Sequence, residues 1–490
     1  MSVPRIALCL LLASLLLASA FGTRHHYALR GPRDIPAADP SWFQQNLDHF
    51  NPQDLRSWPQ KYFVNSTFYK SGGPVFFLLG GEGPLSPSSV AGNHFILTQY
   101  AQQYNALIVA VEHRFYGDSV PLNDSSTPNL RYLTTLQALA DFANFRASLP
   151  SQPGMQMLPS NATWIVFGGS YSGSLSAWAR LKYPHLFHGS LAASAPVHAQ
   201  TDFPEYFEVV TSSIGPACAH AMAVGTDSVE NLLNSASGRD QLQRYFNTCT
   251  PIITDDDAAT FMGNLASVVS GVVQYNRDNN NYMPEDMETM CSTFLSISDP
   301  VQAWVNLTLL FSGGICMEVS YDQTIKDLQP SSAGRSWTYQ TCTEYGYFQT
   351  GELDTQPFSK RITLDYFLKT CKDAFGVAFT PDTKWMWDSP PPLCSFTLMY
   401  SFTSCSEEEF GGRDIVTSNT FFSNGNVDPW HALGIINPFT RSMPNSDVFY
   451  IDGTAHCADL YPPSPKDVPG LTSARKRFVE LLDTWLSTSD

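Results

Sequence analysis

Ser170 stands in the string Gly168-Gly169-Ser170-Tyr171-Ser172-Gly173, between the apolar run Trp164-Ile165-Val166-Phe167 and a segment of helical character from Tyr171 to Leu181. A serine on a sharp strand-to-helix turn is the setting of an activated nucleophile, because the turn lifts its hydroxyl clear of the sheet. Such a turn needs small residues two before and two after the serine. Gly168 meets the first requirement. Ser172 stands at the second, so the strict G-x-S-x-G pattern is missed by one residue, but serine is small enough for the turn to survive. The bland alternative is a glycine-rich turn whose serine caps the helix.

A serine hydroxyl is a weak nucleophile at neutral pH and needs a base, which in turn needs an acid to orient it. The chain order Ser, Asp, His is met by Asp428, in Asn424-Gly425-Asn426-Val427-Asp428-Pro429-Trp430, and by His456, in Asp452-Gly453-Thr454-Ala455-His456-Cys457. Each follows a strand-like run, Phe421-Phe422 or Val448-Phe449-Tyr450-Ile451, and α/β sheets collect their active-site loops beyond strand ends. The chemistry implied is acyl transfer. His456 takes the proton of Ser170 and returns it to the leaving amine, while Asp428 fixes the imidazole tautomer. Two backbone N–H groups must hold the oxyanion. Tyr171 is expected to supply one, and Gly81, in the loop Gly80-Gly81-Glu82-Gly83, the other; a single donor is worth about 3–4 kcal/mol.

Elements of a definite kind are needed to place these residues. Pro74 to Leu79, Ala106 to Val111, Trp164 to Phe167 and Leu191 to Ala193 are apolar without alternation, as strands buried on both faces are. Leu133, Leu136, Leu139, Ala140 and Ala143 mark a helix face. The expected class is α/β, a parallel sheet flanked by helices. From 202 to 335 the texture turns helical, with the acidic run Asp255-Asp256-Asp257 and the polar run Asn279-Asn280-Asn281. The last helix, about Thr472 to Leu486, carries Phe478, Leu481, Leu482 and Trp485 on one face. The expected organisation is a signal peptide over 1–20, core over 42–201, a helical insertion over 202–335, and core again over 336–490. An insertion between nucleophile and acid is expected to act as a cap that admits chain ends only.

Composition narrows the function. Of 490 residues, 43% are hydrophobic, which excludes disorder over most of the chain. The formal net charge of −17 argues against nucleic-acid partners. Ile6 to Leu17 followed by Ala18-Ser19-Ala20 predicts a secretory signal peptide, and no later run is long enough for a membrane span. The expected route is secretory, ending outside the cell or in an endosome or lysosome. Glycosylation acceptors stand at Asn65, Asn123, Asn161 and Asn306. Of 10 cysteines, Cys9 leaves with the signal peptide, so the remainder is odd and one thiol is expected to be free. Cys457, isolated near the C-terminus, is the candidate. No pair has CxxC spacing, and no metal or cofactor is expected.

Together these motifs are similar to the serine peptidase family that includes lysosomal Pro-X carboxypeptidase, dipeptidyl peptidase II and thymus-specific serine protease. The resemblance runs through Leu47-Asp48-His49-Phe50, Glu112-His113-Arg114-Phe115-Tyr116-Gly117, Gly168 to Pro184, Trp337-Thr338-Tyr339-Gln340-Thr341-Cys342, Asn424 to Trp430 and Ala455-His456-Cys457. It is nearest the thymus-specific branch, through Gly80-Gly81-Glu82-Gly83 and Ala177-Trp178-Ala179-Arg180. It implies an α/β-hydrolase core with an inserted, disulfide-stapled helical cap, and a secreted or lysosomal exopeptidase of dipeptidyl peptidase or Pro-X carboxypeptidase type. It implies cleavage after proline, with Trp430 lining the proline pocket. In the post-proline members a Met lines that pocket four residues after the nucleophile; Ser174 stands there here, which should weaken the preference. The disulfides it implies are Cys218 with Cys394, Cys249 with Cys316, Cys291 with Cys342, and Cys371 with Cys405. A substrate amine would be held by Glu82 or Glu344, a substrate carboxylate by Arg114 or Arg335. Peptides are the expected partners, with a homodimer left open. The competing readings are a carboxylester hydrolase with the same triad and a catalytically inactive binding protein of the same fold.

Overall fold

The computed structural model describes residues 39–92, 94–277, 286–376, 381, 383, 410–439 and 442–487. Cys394, Cys405 and the expected signal peptide lie outside them. Among the described residues the fold divides into a helical unit, 200–381 with the short segment 427–432, and an α/β unit, 39–199, 410–426 and 433–487. The helical unit therefore continues past the expected junction at 336, a position that falls inside a helix.

The α/β unit is built on one sheet. Its strands are β1 (Ser41–Asn46), β2 (Ser57–Asn65), β3 (Val75–Leu79), β4 (Leu107–Val111), β5 (Trp164–Gly169), β6 (Gly189–Ala193), β9 (Thr420–Gly425) and β10 (Asp447–Ile451), while β7 (Gln200–Asp202) and β8 (Gly346–Phe348) pair in the helical unit. Their spatial order is β1-β2-β4-β3-β5-β6-β9-β10. β2 runs antiparallel to β1 and to β4, and every later neighbour is parallel. This is the α/β-hydrolase arrangement. Each residue of β3, β4 and β6 is buried, which is why these strands read as unbroken apolar runs. Phe77 of β3 packs against Trp164 of β5 at 5.2 Å and Phe145 at 5.8 Å, in helix α2 (Thr135–Ser148). Helix α1 is Leu97–Tyr104. The C-terminal helix, Pro469–Ser487, buries Phe478, Leu481, Leu482 and Trp485 as its spacing predicts.

Sequence reading missed β1 and β2. Their buried positions include Gln45, Gln60 and Lys61, so neither segment is continuously apolar. The polar groups are satisfied in place: Gln45 Nε2 donates to Gln60 Oε1 at 2.9 Å, and Gln60 Nε2 donates to the Glu112 carbonyl at 2.9 Å.

In the helical unit the acidic run opens the helix Asp255–Gln274. Thr254 and Asp257 form a capping box there, and the carboxylates face the positive end of the helix dipole. Among the described residues three disulfides staple the unit: Cys218–Cys291, Cys249–Cys316 and Cys342–Cys371, with Cα separations of 5.6, 5.0 and 5.7 Å. The expected Cys249–Cys316 pair is present. The expected Cys218–Cys394, Cys291–Cys342 and Cys371–Cys405 pairs are not, because Cys218 is joined to Cys291 and Cys342 to Cys371. Eight cysteines allow 105 connectivities, and only spatial proximity chooses among them.

Of the glycosylation acceptors, Asn123, Asn161 and Asn306 are exposed. Asn65 is buried at 6% exposure, and its Nδ2, the atom a glycan would need, donates to the Val90 carbonyl at 2.7 Å. The fold does not offer Asn65 as an acceptor. Among the described residues no helix is long and apolar enough to cross a membrane.

Candidate active site

Ser170 stands between the end of β5 and helix α3 (Tyr171–Lys182), with φ 60° and ψ −133°. A non-glycine residue in that region costs about 1–3 kcal/mol, and such strain collects at functional sites. Its N–H donates to the Ala193 carbonyl at 2.9 Å, and its own carbonyl accepts from Ser174 N at 3.1 Å. The side chain makes no capping bond to α3, so the bland capping reading fails. Gly168 is required by close approach: a Cβ there would lie 2.0 Å from the Ser172 carbonyl oxygen. Ser172 does more than stay small. Its hydroxyl donates to the Leu79 carbonyl at 2.5 Å.

The loop after β3 lies against this turn. A Cβ on Gly81 would lie 3.2 Å from Ser172 Cβ, and Gly80 N–H donates to the Val111 carbonyl at 2.8 Å. The two expected oxyanion donors, Gly81 and Tyr171, are thus on segments in contact. Glu82 follows, half-buried; burial holds its carboxyl above the usual range, opposed only in part by a backbone hydrogen bond and by a positive charge on His456.

His456, 4% exposed, sits on the loop after β10. The neighbouring residues bring this loop to the elbow. A Cβ on Gly169 would lie 2.8 Å from Cys457 Sγ. Cys457 N–H donates to Ser194 Oγ at 2.8 Å, and Ser194 N–H donates to the Ser423 carbonyl at 2.7 Å. Ser423 Oγ donates to Asp459 Oδ2 at 2.6 Å, while Arg475 Nη2 donates to the carbonyls of Ala458 and Tyr461, each at 2.9 Å. Burial raises the Asp459 carboxyl above the ordinary range. Sequence reasoning missed Ser194, Ser423, Asp459 and Arg475, and no local pattern marks them. Cys457 is buried and is not a member of any of the disulfides seen among the described residues.

Asp428 and Trp430 belong to segment 427–432 of the helical unit. Asp428 is fully buried and its Oδ1 accepts from Trp430 N at 3.0 Å, an Asx turn. Trp430 packs among Tyr347, Tyr206 and Phe203 at 5.4, 5.6 and 5.7 Å, and its indole N–H donates to Gln274 Oε1 at 3.0 Å. Ser174 is buried on α3, and its Oγ has no hydrogen-bond partner.

The expected carboxylate-binding arginines are otherwise engaged. Arg114 is fully buried, with Nε and Nη2 each 2.6 Å from Asp141 oxygens and Nη1 donating to the Leu47 and Tyr132 carbonyls. Arg335, 3% exposed, donates to the Leu328 carbonyl at 2.7 Å and lies 4.8 Å above the Phe375 ring. Glu112 pairs with Lys61 at 2.7 Å rather than with Arg114. Glu344 is buried in the helical unit.

The sequence pattern of the serine carboxypeptidase S28 family matches residues 45–478. The chain is 34% identical to human thymus-specific serine protease over 93% of this chain and 88% of that protein. It is 30% identical to mouse lysosomal Pro-X carboxypeptidase over 91% of this chain and 88% of that protein. Among solved structures, the peroxisomal alpha-beta-hydrolase Lpx1 of Saccharomyces cerevisiae aligns with a TM-score of 0.34 at 10% identity, covering 94% of this chain and 91% of that one.

Proposed function

The chain belongs to the serine carboxypeptidase S28 family and is a serine peptidase, and from that premise we propose that it is an exopeptidase acting on short peptides through an acyl-enzyme. Ser170 is the nucleophile, His456 the general base and then acid, and Asp428 the carboxylate that orients His456. The observation that carries this reading is the strained, uncapped backbone of Ser170 at the end of β5. The backbone N–H groups of Tyr171 and Gly81 receive the oxyanion. Attack by Ser170 Oγ on the peptide carbonyl expels the amine, protonated by His456. Water, deprotonated by the same imidazole, then releases the acid.

The name of the Pro-X carboxypeptidase relative supports a preference for proline before the scissile bond. On terminus recognition, the engagement of Arg114 and Arg335 within the fold favours capture of a substrate amine, by Glu82, over capture of a carboxylate. The lysosomal relative supports a mildly acidic compartment, with an optimum around pH 5.5–6.5, near the reference value for histidine.

The test is Ser170→Ala, with fluorophosphonate labelling and a panel of dipeptidyl amides, their N-acetylated forms, C-terminal Pro-X peptides and short esters. Ser170→Ala should fold, lose labelling and lose at least about 10³-fold in rate. Labelling that persists in this variant refutes the nucleophile. Faster cleavage of the acetylated than of the free-amine substrates refutes the role of Glu82.

A further inference from the structure

His113 lies just beyond β4, fully buried. Its Nδ1 is 2.7 Å from the Arg114 carbonyl oxygen and its Nε2 is 3.1 Å from the Tyr171 hydroxyl. A carbonyl can only accept, so Nδ1 carries the proton. Nε2 is then bare and accepts from the Tyr171 O–H. The ring is enclosed by Tyr116, Tyr171 and Phe142, at 5.2, 5.6 and 6.3 Å. Burial pushes its pKa down to about 4, which keeps this neutral tautomer in place over the working range.

Tyr171 is 2% exposed and opens α3, and its backbone N–H is the expected oxyanion donor next to Ser170. The second expected donor, Gly81, follows Gly80, whose N–H is bonded to Val111 at the end of β4. A Cβ on Gly80 would lie 2.7 Å from His113 N. Both donor segments thus meet residues 111–113, the Gly80 loop through their backbone and Tyr171 through the His113 ring.

We infer that His113 is a positioning residue for the oxyanion hole: through the Tyr171 hydroxyl it fixes the side chain, and with it the backbone N–H, of the residue following the nucleophile. This rests on Ser170 as nucleophile. The role is separate from proton transfer, since both ring nitrogens of His113 are engaged, by the Arg114 carbonyl and the Tyr171 hydroxyl. A donor shifted out of place is worth part of what a deleted one is, so its signature is a lower kcat at unchanged KM.

The experiment compares Tyr171→Phe, His113→Leu, the double variant and His113→Gln. The readouts are kcat, KM, melting temperature and inhibition by a peptide aldehyde, whose carbonyl becomes an oxyanion when Ser170 Oγ adds to it. Tyr171→Phe and His113→Leu should each lower kcat about tenfold, with KM within about twofold and aldehyde affinity falling in step with kcat. The double variant should be no worse than either single one, because both remove the same bond. His113→Gln, which keeps an acceptor, should recover kcat to within about threefold of wild type. Tyr171→Phe keeps the ring and its packing, so it serves if His113→Leu fails to fold. Unchanged kcat in Tyr171→Phe, kcat and KM shifting together, or additive losses would each overturn the inference. Fluorophosphonate labelling of the wild type separates the two levels. If Ser170 labels normally and Tyr171→Phe behaves like wild type, only the role of His113 falls. If the wild type does not label at Ser170, the nucleophile assignment falls and takes this inference with it.

Discussion

The Ser172 hydroxyl donates to the Leu79 carbonyl across 2.5 Å, joining the residue two past Ser170 to the end of β3 that feeds the Gly80-Gly81 loop. The residue that departs from the G-x-S-x-G pattern therefore replaces flexibility with a bond. Ser172→Ala removes a donor from a buried carbonyl and should cost about 1–2 kcal/mol. Denaturant unfolding should show that loss, while kcat falls less than about tenfold, far short of Ser170→Ala. A dead but stably folded Ser172→Ala would move the nucleophile assignment from Ser170.

Ser194 holds the histidine loop from outside it. Its Oγ accepts the Cys457 N–H at 2.8 Å, next to His456 in the chain. Ser194→Ala leaves that buried N–H unpaired, at about 1–3 kcal/mol. The expected result is a lower melting temperature and a kcat reduced several-fold or more, while Ser194→Thr keeps the acceptor and most of the activity. Equal activity in Ser194→Ala and wild type would show that the loop is held without this bond.

Asp459 gives a pH dependence with a definite sign. Burial raises its folded-state pKa, so the folded chain binds a proton that the unfolded chain has already lost. Stability is therefore lost progressively as pH rises from the ordinary carboxylate value to the folded one, and the cost is absent below the ordinary value. Asp459→Asn should therefore gain on wild type as pH rises above the ordinary carboxylate value. The difference in melting temperature should change by about a few degrees over that rise. A difference independent of pH, or one favouring the variant more at the acid end, would contradict the assignment.

Peptide mapping without reduction should recover Cys218–Cys291, Cys249–Cys316 and Cys342–Cys371. Replacing Cys342 and Cys371 together should cost about 2–4 kcal/mol. Cys457, buried at 7% exposure, should react with thiol reagents only when the fold opens. A Cys218–Cys394 peptide, or rapid labelling of Cys457 in the native protein, would be inconsistent with this structure.

Glycan occupancy divides along burial. Enzymatic deglycosylation with mass mapping should find modification confined to Asn123, Asn161 and Asn306 among the four acceptors, with Asn65 bare. A glycan on Asn65 would mean that its bond to Val90 does not form in the mature protein.

Most of what positions Ser170 was readable along the chain. β3, β4, β5 and β6 are buried on both faces, so burial writes itself into consecutive residues and needs no distant partner to be recognised. The elbow is equally local, because Gly168, Ser170 and Ser172 meet within one turn. β1 and β2 were not readable, because Gln45 and Gln60 are polar residues whose burial rests on bonds to each other and to the distant Asp141 and Glu112 carbonyls. Ser194 and Cys457 are 263 residues apart, and Arg475 meets Ala458 across 17. Their hydrogen bonds leave no period in the chain. Disulfide partners and the extent of the helical unit past 336 are of the same kind. A local pattern reports how deeply a residue is buried; which distant residue it meets is settled when packing brings the two within bonding distance.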